Sequence, residues 1–158
     1  MCNLGYVYNH DNYGVARDPL EARQWYEKAA AAGSAEAVYR LGDLYVEEDD
    51  SEYRMKGGKE ARRWYEKAAR AGDSRAMYAL GHMYYSVLGG PQDYQQARQW
   101  YEKAAASGHR DAMYNLSEIY EKGLGVPHDQ QKAQQWQAKG NAANPPRTYV
   151  FITHDFGP

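Results

Sequence analysis

Cysteine is almost missing from this sequence: Cys2 is the single one among 158 residues. One thiol excludes an intrachain disulfide and a cysteine-based zinc site, because both need at least two cysteines. Basic residues are not in surplus either, since 19 lysines and arginines stand against 21 acidic residues. A surface that binds nucleic acid usually carries excess positive charge to neutralise phosphates, so we expect no nucleic-acid partner.

Long apolar runs are also missing. The mean hydropathy is −0.92, and no stretch approaches the roughly 20 apolar residues of a transmembrane helix, so we expect no membrane insertion. The first ten residues, MCNLGYVYNH, have neither the basic nor the apolar region of a signal peptide. The compartment stays open between the cytoplasm and a bacterial periplasm.

Catalytic and metal-binding motifs are not found. No nucleophile elbow, P-loop or dinucleotide fingerprint occurs in the sequence. The histidines have no spacing typical of a metal site on a helix; they are His10, His82, His109, His128 and His154. We therefore predict a protein that is not an enzyme, with no catalytic residues, no metal site and no cofactor.

What the sequence has instead is an internal repeat. The string WYEKAA begins at Trp25, Trp64 and Trp100, and a weaker copy, WQAKGN, begins at Trp136. A second motif, L-G/S-x-x-Y, keeps step with it, with leucines at positions 4, 41, 80 and 116. Because both motifs recur at a spacing of 36 to 39 residues, we infer four copies of one structural unit.

Each unit is predicted to contain two helices. In the second unit, apolar residues recur at helical spacing over 35–47 and again over 60–71. Glycines at 33, 72 and 108 and an asparagine at 144 follow the second helices, and both residue types tolerate the left-handed conformation that ends a helix. Ser34 and Ser74 are the expected N-caps of the helices that follow, and Pro19 fits the first turn of its helix.

Glycine also recurs inside the first helix, at Gly5, Gly42 and Gly81. An internal glycine costs a helix about 1 kcal/mol relative to alanine. Its recurrence therefore predicts a close crossing of two helices, where a methyl group would push the backbones apart. Ser117 holds this position in the fourth unit, which indicates looser packing at that end.

These motifs resemble the Sel-one-like repeat family, a relative of the tetratricopeptide repeats. The resemblance rests on the A-x-x-x-L-G-x-x-Y first helix, the A-x-x-W-Y-x-K-A-A-x-x-G second helix and a G-x-G-V-x-x-D loop, whose matching residues in the fourth unit are Gly123, Gly125, Val126 and Asp129. It implies an all-α fold, a right-handed α-solenoid (superhelix) of about four helix-turn-helix repeats. We place the units at 1–33, 34–72, 73–108 and 109–144, followed by a tail, 145–158.

The resemblance also implies a function in binding. Family members act as scaffolds or adaptors, and their first helices line the concave face, where solenoids typically bind. We therefore predict a protein–protein interaction module whose groove holds a peptide or protein. The candidate binding residues are first-helix positions that vary between units: Asn3, Tyr6, Arg40, Asp43, His82, Asn115 and Glu118. Two alternatives stay open, namely a regulator or immunity-type protein that blocks one enzyme or toxin, and a hydrolase of cell-wall material.

Aromatic residues are abundant, with 16 tyrosines and four tryptophans. All four tryptophans and ten tyrosines occupy repeat-equivalent positions, so we interpret them as packing residues rather than as a stacking site for sugars or bases. The remaining tyrosines are better candidates for partner contacts; they are Tyr6, Tyr13, Tyr53, Tyr85, Tyr94 and Tyr149. We interpret the acidic run at 47–50 as part of a solvated loop.

The two ends depart from the repeat. The first unit is short before its leucine, which predicts either a piece of a longer repeat protein or a frayed first helix. The last second helix is glutamine-rich over 130–137, as a polar capping repeat should be. Prolines at 145 and 146 then break the helix, and we expect the β-prone residues 148–152 to fold back over the open end or the groove. A disordered tail and a tail that docks on a neighbouring molecule are the alternatives.

Deletion of residues 145–158 tests this expected role of the tail. If the tail covers the end of the array, its removal exposes apolar surface and lowers the melting temperature. Thermal unfolding followed by circular dichroism measures the change. A melting temperature equal to that of the full chain would contradict a capping role.

Overall fold

The computed structural model describes residues 1–10, 14, 16–47, 54–86 and 90–143. Within these ranges all regular structure is helical. The helices are α1 (Cys2–Asn9), α2 (Pro19–Ala31), α3 (Ala35–Glu47), α4 (Arg54–Arg70), α5 (Ser74–Tyr85), α6 (Tyr94–Ala106), α7 (Arg110–Lys122) and α8 (Gln130–Ala143). Most of the acidic run, three of the candidate tyrosines, the predicted asparagine cap and the tail lie outside the described residues.

The helices pack in chain order, each against its neighbours along the sequence. Odd-numbered helices are the first helices of the four units, and even-numbered helices are the second helices. The predicted fold class is therefore confirmed: the described chain is an all-α solenoid of two-helix units. The first helix of the first unit is the shortest, with 8 residues against 12 or 13 in the other units.

The core is built from the repeated apolar and small residues. It forms one cluster centred on α2 to α5 and another on α6 and α7, and Met77 packs against both. The leucine of the first helix shows what stacking achieves. Leu41, Leu80 and Leu116 are fully buried, whereas Leu4 in the first unit is 43% exposed. A unit thus buries its apolar faces only when a neighbour lies against it.

The recurring glycine of the first helix makes room for a tyrosine ring of the second helix. A Cβ atom on Gly81 would lie 2.5 Å from a ring carbon of Tyr101, and Gly42 stands in the same relation to Tyr65. The first unit repeats the pair with Gly5. The close contact that the sequence predicts is therefore real, but it joins a backbone to an aromatic ring and not one backbone to another.

Both members of this pair change in the fourth unit. Ser117 stands in place of the glycine and Gln137 in place of the tyrosine. The Ser117 hydroxyl donates a hydrogen bond of 2.8 Å to the backbone carbonyl of Ala133, which joins α7 to α8. The expectation of looser packing at this end is wrong, because a hydrogen bond takes the place of the ring contact.

Repeated hydrogen bonds fix the loops between helices. Asp18, Asp93 and Asp129 precede second helices, and their carboxylates accept from backbone N–H groups in the first turn at 2.9 to 3.1 Å. The backbone N–H of each aspartate donates to a tyrosine carbonyl near the end of the preceding helix, at 2.7 to 2.9 Å. The three glycines at 33, 72 and 108 have φ of 83 to 90°, which confirms the predicted helix ends.

Two helix starts differ from the sequence prediction. Ser34 caps α3 as predicted and accepts the N–H of Ala37 at 3.2 Å. Ser74, however, is the first residue of α5, and the carboxylate of Asp73 is the cap. In the second unit α4 begins at 54 rather than 60. Gly57 and Gly58 lie within this added stretch of helix, and tertiary packing overrides their low helix propensity, since Gly58 is buried.

Substitution of Gly81 by serine tests the glycine–tyrosine pair. We expect Gly81→Ser to lower the free energy of unfolding by about 1–3 kcal/mol, since overpacking against the Tyr101 ring exceeds the small gain in helix propensity. In a Tyr101→Gln background, which copies the fourth unit, the same substitution should cost much less. Urea unfolding of both single variants and the double variant measures the coupling, and strictly additive effects would contradict the pairing.

Candidate partner-binding face

Helices α1, α3, α5 and α7 present one side of the array, which we name the first-helix face. Along it α5 touches α7 as well as its neighbours in sequence. All seven residues predicted as binding candidates lie on these helices, and none of them is buried. Asn3 and His82 are exposed, and the other five are half-buried.

A chain of ion pairs joins α3 to α5 on this face. Glu36 accepts from Arg40 at 2.8 Å and from Arg75 at 2.6 Å. Arg75 also pairs with Asp73 at 2.6 Å, and Arg40 lies 3.8 Å from the carboxylate of Asp43. Three carboxylates thus share two guanidinium groups, and the network carries a net charge of −1.

The pKa values in this network show how closely its charges are coupled. Burial by itself would raise the pKa of Glu36 and of Asp73, but hydrogen bonds from Arg75 and its charge outweigh that effect. Both carboxyl pKa values therefore lie below their ordinary values of 4.5 and 3.8. The hydrogen bonds to Asp73 and Glu36 in turn raise the pKa of Arg75, so the network is fully charged at neutral pH.

Tyrosine rings lie against the network. The guanidinium carbon of Arg75 is 4.5 Å from the centroid of the Tyr39 ring. The guanidinium carbon of Arg40 is 5.8 Å from Tyr6 and 5.9 Å from Tyr39. Burial, together with the nearby carboxylate of Asp43, raises the pKa of Tyr39 to about 12. The Tyr39 hydroxyl is therefore protonated throughout the physiological range and can donate a hydrogen bond.

Two of the predicted residues also hold the fold. Asp43 accepts a hydrogen bond of 2.8 Å from the hydroxyl of Tyr65, which comes from the second helix. Glu118 accepts from the hydroxyl of Tyr85 at 3.2 Å and from Lys122 at 2.6 Å. Their carboxylates therefore fix the orientation of tyrosines at this face as well as presenting charge on it.

Asn115 also lies beside a tyrosine of the second helix. Burial raises the pKa of Tyr101, and the amide of Asn115 next to its hydroxyl reduces that effect.

Among the candidate tyrosines outside the repeat pattern, Tyr6 stacks on His10 with ring centroids 4.1 Å apart. Tyr85 and Tyr94 meet edge to face at 5.4 Å, so these two have contacts within the chain.

A depression of about 270 Å³ opens at the junction of α3 and α5. Its lining is mostly aromatic and aliphatic, and consists of Tyr39, Val46, Tyr65, Tyr78, Ala79, His82 and Met83. Small-molecule sites usually have about 300–1,000 Å³, so this depression suits a single side chain better than a whole ligand. His82 is the one predicted candidate among its lining residues.

The sequence missed several residues that define this face. Tyr39 and Tyr78 stand at repeat-equivalent positions, which indicated packing alone, and no signal in the sequence separates them from the other tyrosines. Glu36 and Arg75 could have been found, because their shared position differs in charge between units just as the chosen candidates do.

The described parts of the chain contain neither a cluster of metal-binding side chains nor a membrane-spanning helix. No group of three or more histidine, cysteine, aspartate or glutamate side chains there is arranged to hold a metal ion. None of the helices α1 to α8 is long and apolar enough to cross a membrane.

The stacked helix pairs define a helical repeat protein. The sequence model of the Sel1 repeat matches four contiguous segments, at residues 1–34, 35–73, 74–109 and 110–140. The chain therefore belongs to the Sel1 repeat family, which confirms the resemblance found in its motifs. Proteins of this family are generally modules for protein interaction, and the fold is typically a non-catalytic scaffold.

Two solved structures of this class are similar to the chain. The Sel1 repeat protein from Oxalobacter formigenes is 33% identical with a TM-score of 0.77, over 91% of this chain and 57% of that one. The second is c5321, a protective antigen present in uropathogenic Escherichia coli strains. It is also 33% identical, with a TM-score of 0.74, over 89% of this chain and 29% of that one. The chain thus spans only part of either protein, and no curated protein matches it in sequence.

Acidification tests the ion-pair network. The pKa values of Glu36 and Asp73 are lower in the folded chain than their ordinary values of 4.5 and 3.8. The network therefore stabilises the fold above those values, and its contribution is lost as the pH falls through the lower folded-state values. We expect Arg75→Met to lower the melting temperature near neutral pH, and the difference from the wild type to shrink at about pH 3.

The matched control is Arg110→Met, which removes an exposed arginine at the equivalent end of α7, 3.5 Å from Asp111. Exposed ion pairs contribute little, about 0–1 kcal/mol, so this variant should melt close to the wild type at both pH values. A difference between wild type and Arg75→Met that does not change with pH would contradict the network.

Proposed function

We propose that the chain is a protein–protein interaction module that holds a peptide or protein against the first-helix face. One observation carries the proposal: a frame of repeated packing residues presents outward side chains that differ from unit to unit. At one register these are Asn3, Arg40, Ala79 and Asn115, and at the other they are Tyr6, Asp43, His82 and Glu118. A groove that is specific for one partner requires such a constant arrangement of helices with side chains that vary along it.

The placement of helices supports this choice of face. Elements on the inner side of a curved array lie closer together than those on its outer side, and α5 and α7 are in contact. Solenoid proteins use such inner surfaces to hold extended partners. The face also combines arginine with half-buried tyrosine, two residue types that are enriched where interfaces concentrate their binding energy.

Substitutions on this face test the proposal. Purification of the tagged chain from its native host should recover a partner at fixed stoichiometry. The variant with Arg40→Ala, Asp43→Asn and His82→Ala should bind it at least tenfold more weakly, a loss of about 1.4 kcal/mol or more. Asparagine at 43 keeps an oxygen that can accept from the Tyr65 hydroxyl, so the variant should remain folded.

A matched control changes three exposed residues of the second helices. They precede the repeated tryptophans, and the substitutions are Gln24→Ala, Arg63→Ala and Gln99→Ala. The control should bind like the wild type, and both variants should melt within a few degrees of it. Equal binding by all three proteins would refute the assignment of the face. An enzyme or toxin as the stoichiometric partner would favour the regulator alternative, and turnover without a partner would favour a hydrolase.

A further inference from the structure

The depression between α3 and α5 is bordered by side chains that change at the next junction along the face. Three of its lining positions, those of Val46, Ala79 and His82, have repeat equivalents at the junction of α5 and α7, namely Tyr85, Asn115 and Glu118. Tyr85 is larger than Val46, and Asn115 is larger than Ala79. Glu118, in the place of His82, accepts a hydrogen bond from Tyr85.

The chain's own side chains occupy that second junction. The Tyr85 ring stands where the smaller valine stands in the preceding unit. It packs edge to face with Tyr94, and its hydroxyl donates to Glu118 at 3.2 Å. The junction of α1 and α3 also has different side chains. There Arg40 and Asp43 take the places of the alanine and histidine; they pair with each other within α3 at 3.8 Å, and the guanidinium carbon of Arg40 lies 5.8 Å from the centroid of the Tyr6 ring of α1.

We propose that the α3–α5 depression is a specificity pocket that accepts one large apolar side chain of the partner, with a basic residue beside it in the partner's sequence. This inference rests on the proposed function and adds the chemistry of the partner. Tyrosine rings and the adaptable thioether of Met83 line the pocket, and such surfaces favour an aromatic or long aliphatic group.

Charge at the edge of the pocket argues for the basic residue. Asp43 accepts from the Tyr65 hydroxyl and, after burial, is the next cause of the raised pKa of Tyr39; both of these tyrosines line the pocket. The ion-pair network beside it carries a net charge of −1. This charge is complementary to a lysine or arginine of the partner that lies next to the apolar anchor.

A phage-displayed library of random linear peptides, panned on the full chain, tests the proposal. The enriched peptides should share a large apolar residue next to lysine or arginine. A synthetic peptide of the enriched sequence, measured by fluorescence polarisation, should bind the Val46→Tyr variant at least tenfold more weakly, because the new ring copies Tyr85. The variant Ala79→Asn copies the second junction at another lining position, adds no charge, and should also weaken binding.

Gln99→Tyr adds a ring at an exposed position of α6, and as the control it should bind the peptide like the wild type. Melting temperatures show which variants are folded. Enriched peptides without the apolar–basic pair, unchanged binding by the folded pocket variants, or no enrichment at all would overturn the pocket. The double variant Arg40→Ala with Asp43→Asn separates this proposal from the proposed function. If it weakens partner binding while the pocket variants do not, the pocket proposal is refuted and the first-helix face remains the binding surface.

Discussion

The tyrosine ring that packs against a first-helix glycine sets the spacing between the two helices of a unit. In three units the ring leaves no room for a Cβ on the opposite helix, so the two helices can lie this close only with glycine at that position. The same ring carries its hydroxyl from the second helix to the first-helix face, where Tyr65 donates to Asp43. In the second unit, packing between the two helices and the orientation of Asp43 on the first-helix face therefore depend on the same tyrosine.

The rest of the WYEKAA motif serves the outer side of the array. In every unit the lysine lies over the ring of the tryptophan three residues before it, with Nζ 4.0 to 5.2 Å from the ring centroid. The tryptophans are only half-buried, and the lysine covers part of what remains. The motif thus divides into an outer tryptophan–lysine stack, an inner tyrosine and core alanines. Because all of these are structural, its repetition carries no information about the partner.

Specific features of the face arise between units rather than within them. Glu36 and Arg75 occupy the same position in successive units with opposite charge, and stacking places them 2.6 Å apart. The depression between α3 and α5 has the same origin, since its lining comes from three helices of two units. The features that distinguish this array from other repeat proteins therefore lie at the junctions between units, where one side chain contacts residues of two units.

The sequence by itself determined the number of units, the two helices in each and the glycine helix ends, because spacing, helical periodicity and left-handed glycine are local properties of the chain. It also placed the variable positions on the first helices. It misjudged Ser74 and the start of α4, where local signals yield to a better cap and to tertiary packing. Only the tertiary structure decided that Tyr39 and Tyr78 border a depression while Tyr85 donates to Glu118 across the next junction. That outcome depends on the combined size and charge of side chains from different units, which no single stretch of sequence contains.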